Sequence, residues 1–454
     1  MFGYGNGNWF KALGGAFDAL VSAFKTRVLG DGGTYESGCL AAILGEIGQP
    51  ILDQASLLTT PNAYKASTIY SITPTDASGD LDFSRASTAT RVNASGLIEE
   101  VASNVPRMDY SNGCPQILLE PQRTNLITYS EDLSDASWNK TRTTITSNAA
   151  TSPDGTTNAD LAECNVSGLS KSSKSSLSYT SGVSYTFSFF AKYISQPRIS
   201  LSLSGAIFSS STNIFDIQNG TTISGSAQTI EDYGNGWYRC SVVRTANTTD
   251  VSTAISIQFA DETTGAGVSG NQVYIWGAMV EQGSYATSYI KTEGAAATRL
   301  LETSSTSGLS SLIDSTEGVL YVEMAALADD GTTRLISIVD ATGTNRINMG
   351  FNSTSGVIYF SSSGTSPNIS IFPTGVTQTD LNKIAFKYKA NDCAVWVNGV
   401  EIGTSVSFAA YAANVFSKIE FKNGAGAFNY FYGKVSALSI LPYLTDQELQ
   451  DLTT

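Results

Sequence analysis

The feature that most constrains this chain is a two-residue alternation that recurs from about residue 121 onward. Val183, Tyr185, Phe187 and Phe189 alternate with Ser184, Thr186 and Ser188, and the pattern returns at Ile199, Leu201 and Leu203 and again at Ile255, Ile257 and Phe259. Successive side chains of an extended strand point to opposite faces, so each run places its apolar residues on one face of a sheet. Turn signals separate the runs, at Asn219-Gly220, Asn235-Gly236 and Gly265–Ser269. Many short strands punctuated in this way predict an antiparallel sandwich. The strand Gln272–Val280 is expected to close that domain. The tail after it, Gly283–Arg299, is built of small residues and tyrosines and reads as a linker leaving the sandwich.

A second set of strands begins near residue 315, with Gly318–Ala325, Thr333–Asp340, Arg346–Phe351, Val357–Ser361 and Lys383–Lys389. CAVWVNGVEIGT is a hairpin signal, because Asn398-Gly399 suits a type I′ turn between alternating apolar runs. In LTDQELQDLTT, Thr445 and Glu448 form a capping box for a short terminal helix. The two sets of strands look like different folds rather than copies. Neither heptads nor a strict short repeat is visible, which argues against a fibrous shaft or a parallel β-helix.

The first segment differs. Trp9, Phe10, Leu13, Phe17, Leu20, Val21 and Phe24 recur at three- and four-residue steps and predict an amphipathic helix. A Gly-rich turn at Asp31–Gly33 and a second helix around Glu36–Leu44 follow. So short a helical hairpin cannot bury its apolar stripe alone. It needs the protein's own next domain, another subunit or a larger particle. The stripe has no clearly basic polar face, which disfavours a membrane-surface helix. The expected architecture is mainly β: two antiparallel sandwiches (jelly rolls) in tandem behind a short helical N-terminal anchor. Its segments are a helical anchor at 1–48, an irregular or β connecting region at 49–120, a sandwich with exit linker at 121–299 and a second sandwich at 315–454. Within the connecting region, Thr68–Ile72 and Leu97–Val101 are short strands and Ser95-Gly96 is a turn.

Composition narrows the function. The net charge is −14, the wrong sign for a polyanion partner, so nucleic acid is not expected. Histidine is absent, which removes Ser-His-Asp and Cys-His catalysis and His-ligated zinc. The five cysteines, Cys39, Cys114, Cys164, Cys240 and Cys393, show no C-x-x-C spacing and read as free, mostly buried thiols. No metal and no cofactor is expected. ADDGTT at Ala328–Thr333 reads as a hairpin turn rather than a calcium loop. Carboxylate doublets at Glu99/Glu100, Glu131/Asp132, Glu231/Asp232, Asp261/Glu262 and Asp329/Asp330 read as solvated loops. Neighbours on a strand face opposite ways, so no doublet offers the facing pair that glycoside hydrolysis requires. The start, MFGYGNGNWF, lacks the pattern of a secretory signal, and no apolar run is long enough to span a membrane. The expectation is a protein made in a cytoplasm that either stays there or leaves by a route other than secretion, such as in a virus particle released by lysis.

What remains for binding is aromatic and neutral. Sugars are held by aromatic faces and by neutral hydrogen bonds in shallow sites. Trp396, out of phase with Val395 and Val397, is the first candidate. Tyr359, Tyr411, Tyr430 and Tyr432 are the others.

The runs LDFSRASTATRVNASGLIEEVASNVPRMDY and ILLEPQRTNLITYSEDLSDASWNK resemble a segment of bacteriophage and prophage virion proteins, among them tail-fibre, head-fibre and spike adhesins. NGWYRCSVV and VYIWGAMVEQGSYATSYIKTEGAAATR are similar to the late strands of a carbohydrate-binding-module-like jelly roll. Residues 315–454, with VWVNGVEIG and YGKVSALSILPYLTDQEL, resemble concanavalin A-like/laminin G-like sandwiches. The resemblance implies a non-enzymatic virion protein, commonly a homotrimer. It would attach to other virion proteins through its N-terminal stripe and present its sandwiches to host surface polysaccharide. A passive decoration or assembly role is the alternative, and a depolymerase is a further one.

Overall fold

The computed structural model describes residues 15–454 apart from 49–50, 52, 204–206, 209–211, 262–265, 357, 365–369 and 373. Strand makes up 49% of the structure and helix 7%, so the protein is mainly β. It forms two compact units, and the chain passes between them more than once. Unit 1 comprises Met1–Ala86, Ala102–Pro121 and Leu301–Thr454; unit 2 comprises Ser87–Val101 and Gln122–Leu300.

Unit 2 is a sandwich of two six-stranded antiparallel sheets. The first runs, in spatial order, Trp138–Thr141, Lys171–Tyr179, Asp250–Phe259, Arg198–Leu203, Thr212–Asp216, Thr221–Ser224. The second runs Thr143–Thr151, Thr157–Cys164, Gln272–Gln282, Ser184–Tyr193, Trp237–Thr245, Gln228–Asp232. The alternating apolar residues meet between them: Phe187 and Phe189 from one sheet, Ile199, Leu201, Ile255 and Ile257 from the other, all buried. Asn235 and Gly236 both have positive φ (53° and 80°), as a type I′ hairpin between two strands of the second sheet demands.

The strand Gln272–Gln282 lies in the interior of its sheet, paired on both sides. The segment after it is not a linker. Tyr289 and Ile290 are buried with Phe190, Trp237 and Trp276 on the outer face of the second sheet. Asn125 Nδ2 donates to Ile290 O at 2.8 Å, and Ala297–Arg299 pairs with Arg123–Asn125. A sheet with large apolar residues on both faces needs a second cover, and the quiet tail supplies it. Its two tyrosines at 285 and 289 are the apolar payload of that cover.

Unit 1 joins three stretches of chain in one hydrogen-bonded sheet system. Leu57 pairs with Ile440, and Val435 pairs with Ile117. The structure therefore divides the chain differently from the linear segments read above: most of 49–120 belongs to the same sandwich as 301–454. The strand Glu317–Ala326 is buried on both faces. Leu320, Val322 and Met324 face the inter-sheet core, while Val319 and Tyr321 face a second cluster. Three helices contribute to that second cluster: α1 (Gly15–Gly30), α2 (Leu40–Ile47) and α3 (Asp446–Thr453). The capping box of α3 is formed, with Thr445 Oγ1 accepting from Glu448 N and Glu448 Oε2 accepting from Thr445 N at 2.8 Å.

The helical segment packs on its own unit. Phe24 is fully buried beside Val28, Leu40 and Leu44, and Leu20 is half-buried against the same cluster. The stripe that needed a partner thus finds one, over residues 20–28, in the strands that follow it. Trp9, Phe10 and Leu13 lie outside the described residues, as does the Phe17 side chain. The expectation of free thiols is corrected at two positions. Cys39 and Cys114 form a disulfide, with Cα atoms 5.6 Å apart. Spacing in sequence gave no sign of it, because the two sulfurs meet only when the α2 entrance docks beside the loop before Gln116–Leu119. Cys164, Cys240 and Cys393 are free and buried.

Candidate functional site

The five aromatic candidates fall into different environments. Trp396 keeps the phase read from the sequence, opposite Val395 and Val397. Its face, however, is the one covered by the helices, and it is 7% exposed in the cluster with Leu449 and Leu452. Tyr411 is buried, its hydroxyl 2.8 Å from Arg346 O and 2.9 Å from Ser363 O. Both are core residues, and as placed neither offers a ring face to a ligand. Tyr359 lies on the strand Ile358–Ser363, paired with Gly350, and its side chain is outside the described ones.

Tyr430 and Tyr432 are brought together. Both are half-buried, and their rings lie nearly parallel, 20° apart with centroids 5.9 Å apart. The local sequence explains the pair. Phe431, between them, is fully buried against Phe421 and Phe351, which turns its two neighbours the other way. Phe431 N donates to Phe421 O at 2.9 Å, and Leu335 N to Asn429 O at 3.1 Å, so both ends of the short stretch are pinned. Asn429 holds a positive φ of 51°, which turns the chain from the Asn423–Phe428 loop into this stretch. Phe428, 49% exposed, extends the aromatic surface of the same loop.

Unit 2 carries a polar sheet face that the sequence reading did not single out, and Ser173, Ser200, Ser256 and Gln258 on it are buried. On the face of its first sheet turned away from the core, the cross-strand register lines up Asn139, Ser173, Ser256 and Ser202 in one row. The adjacent row carries Lys171, Gln258 and Ser200. Ser173 and Ser256 hydroxyls are 2.8 Å apart, and Ser200 Oγ is buried without a hydrogen-bond partner. The signal was present as the serines and glutamine between the apolar residues of RISLSL and ISIQF. In the sequence these residues read only as the polar half of an alternation.

A cleft of about 510 Å³ in unit 1 is lined by residues that include Asp380, Leu381, Asn382, Asn398 and Val400. Its amides are occupied: Asn398 Nδ2 donates to Asn382 Oδ1 at 3.0 Å, and Asn382 Nδ2 donates to Asp380 O at 2.7 Å.

The expectation of solvated loops is corrected at three carboxylate doublets. Glu99/Glu100 lie in the strand Ile98–Val101, with Glu99 paired with Arg91 at 2.6 Å, Glu231/Asp232 end the strand Gln228–Asp232, and Glu131 is drawn into a side-chain cluster. Glu131 accepts from Tyr289 OH and from Lys291 Nζ, each at 3.1 Å. Burial pushes its carboxyl up, against the pull of Lys291. Burial also pushes the Tyr289 phenol well up, with the Glu131 charge acting the same way, so that hydroxyl stays protonated and serves as a donor. The group braces the tail segment. Elsewhere Asp330, in the loop weighed for calcium, is paired with Arg334 at 2.7 Å. Among the described residues no group of three or more His, Cys, Asp or Glu side chains is arranged to hold a metal ion, and no helix is long and apolar enough to cross a membrane.

No protein-family model matches the chain, and no curated protein matches it. Solved structures do. The chain is similar to the CBM40 of the Ruminococcus gnavus IT-sialidase, with 14% identity, TM-score 0.27, and coverage of 31% of this chain and 83% of that one. It is similar to domain 4 of AbnA, a GH43 extracellular arabinanase from Geobacillus stearothermophilus in complex with arabinotriose. There the identity is 19%, the TM-score 0.27 and the coverage 37% and 82%. It is also similar to domains LG4-5 of the mouse laminin α1 chain, with 10% identity, TM-score 0.21, and coverage of 70% and 96%.

Proposed function

We propose that this chain is a non-enzymatic, glycan-recognising protein of a bacteriophage particle, exposed on the particle surface in several copies. The observation that carries glycan recognition is the Tyr430–Tyr432 pair: two half-exposed, near-parallel rings on a rigid, doubly pinned stretch. Sugar rings present apolar C–H faces, and adjacent aromatic rings form a platform for them. Holding the rings in place beforehand lowers the ordering cost of binding. The particle assignment is supported by the resemblance of LDFSRASTATRVNASGLIEEVASNVPRMDY and its flanks to phage virion proteins.

Recognition of this kind is weak at each site, with dissociation constants of about micromolar to millimolar, and becomes useful through multiple copies. A homotrimer would supply them. Attachment to other virion proteins is assigned to the N-terminal region. The absence of histidine supports a reading without catalysis.

The test is retention of the pure protein on immobilised host surface polysaccharide, compared with Tyr430→Ala/Tyr432→Ala. Loss of at least about tenfold in retention by the double variant is the expected result. Equal retention of the two proteins would remove the platform. No retention of either would favour passive decoration, and release of new reducing ends would favour a depolymerase.

A further inference from the structure

The disulfide ties down a part of unit 1 that has few strand ties. The segment Gly15–Ile47 consists of α1, a two-residue strand Thr34–Tyr35 and α2. Its backbone joins the sheet over three residues: Thr34 and Tyr35 lie opposite Tyr64 and Ala63, and Glu36 N donates to Asn62 O at 2.7 Å. Its grip also includes side-chain packing at Phe24, Val28, Leu40, Ile43, Leu44 and Ile47, Arg27 on Asp80 and on Ser71 O, Tyr110 on Glu36, and Asn62 Nδ2 donating to Glu36 O and Gly38 O. Short elements with few strand partners open at a lower free energy than a central strand such as Glu317–Ala326.

Cys39 sits at the entrance of α2, and its bond to Cys114 spans 75 residues. Both cysteines are only half-buried, and Ser111, Asn112 and Gly113 beside Cys114 are exposed, so a small thiol reaches the bond without unfolding of the sheet. The other sulfurs do not compete. Cys164, Cys240 and Cys393 are buried, and burial pushes the Cys240 and Cys393 thiols up, away from the reactive thiolate.

We propose that Cys39–Cys114 is a redox latch: as a disulfide it holds the helical segment on unit 1, and as a dithiol it lets that segment open while the sandwich stays folded. The oxidant is a small-molecule or protein disulfide. Thiol–disulfide exchange forms the Cys39–Cys114 bond and breaks the oxidant's bond. Two electrons pass to the oxidant, and the two cysteine protons leave with its two product thiols. A dithiol reductant reverses the step. Opening uncovers the apolar face that includes Tyr70, Ile72 and Tyr321, so the reduced form presents a sticky surface that the oxidised form hides.

The experiment uses the full chain, air-oxidised and dithiothreitol-reduced, beside Cys39→Ser/Cys114→Ser. Alkylation after denaturation should find three free thiols in the oxidised protein and all five after reduction. Hydrogen exchange read by peptide mass spectrometry should accelerate at least about tenfold over residues 15–48 in the reduced protein and in the double variant, with strand Glu317–Ala326 and unit 2 unchanged. Five alkylatable thiols before reduction would overturn the proposal. So would equal exchange in the two redox states. Acceleration spreading through Glu317–Ala326 would also overturn it, because the bond would then be a staple of the whole unit. Should the double variant fail to fold, the reduced wild-type protein decides the matter alone.

Discussion

Glu302 and Arg85, 217 residues apart, meet at 2.7 Å with both side chains fully buried. Arg107 joins them, donating from Nε to Glu302 Oε1 at 2.8 Å and reaching Glu120 at 2.8 Å. Glu120 N donates to Glu302 Oε2 at 2.8 Å, and Arg85 donates to Ala102 O at 2.6 Å. The residues of this cluster flank the four points where unit 1 is interrupted, after Ala86, before Ala102, after Pro121 and before Leu301. The cluster therefore fastens the cut ends of the unit. Removing one partner of a buried ion pair leaves an uncompensated charge, a loss of about 3–5 kcal/mol. Glu302→Gln is expected to lose that much, seen as a lower urea midpoint for exchange at strand Glu317–Ala326. An unchanged midpoint would mean that desolvation already offsets the pairing.

The Trp396 side chain fills the cluster between the sheet and the helices. Trp396→Ala is expected to cost about 3–5 kcal/mol of unit 1 stability, as large-to-small core changes do. Retention on polysaccharide, measured well below the unfolding midpoint, should stay as in the wild type. A variant of wild-type stability that no longer binds would return Trp396 to the binding surface.

Tyr411→Phe removes only a hydroxyl, but its single proton, shared between the carbonyls of Arg346 and Ser363, is lost to both. A cost of about 1–2 kcal/mol is expected. Urea unfolding of unit 1 measures it, and a neutral result would show that water or another donor reaches those carbonyls.

Local pattern made much of this protein legible. The strands around Phe187, Leu201 and Ile257 were readable because each buries one face, and the α3 cap was readable because Thr445 and Glu448 satisfy each other within one turn. Long-range pairing left no such trace. Nothing local to Leu57 announces Ile440 as its partner, and nothing near Cys39 announces Cys114. The tail Gly283–Arg299 was misread because its burial is carried by a few spaced residues, Tyr285, Tyr289 and Ile290, rather than by a period. The aromatic candidates show the same limit. Phase correctly separated Trp396 from Val395, but only the fold reveals that helices cover that face. Tyr430 and Tyr432 stand out only once Phe431 is seen to point inward.

The last prediction concerns pH and unit 2. Asp160 accepts backbone N–H bonds from Leu133 at 2.7 Å and Asn148 at 3.1 Å, yet burial pushes its carboxyl up from an ordinary 3.8 to about 6. Glu281 and Glu131, in the same unit, are raised by burial as well. A carboxyl whose folded pKa lies above its unfolded value binds its proton more readily when folded. Stability from such a group therefore rises as pH falls, here from about 6 towards 3.8 for Asp160. Exposed acids held down by hydrogen bonds act in the opposite direction, and mostly lower. Asp340 of unit 1, drawn to about 2 by the amides and hydroxyls of Thr342 and Asn345 despite partial burial, keeps its stabilising effect until pH falls below 3.8. The expected outcome is a carboxyl NMR titration of Asp160 with its midpoint near 6, and a unit 2 that resists urea better at pH 5 than at pH 7.5. Asp160→Asn should flatten part of that slope, because the neutral side chain no longer titrates. An Asp160 midpoint near 3.8 would show that the two backbone donors outweigh burial and would remove the basis for the slope.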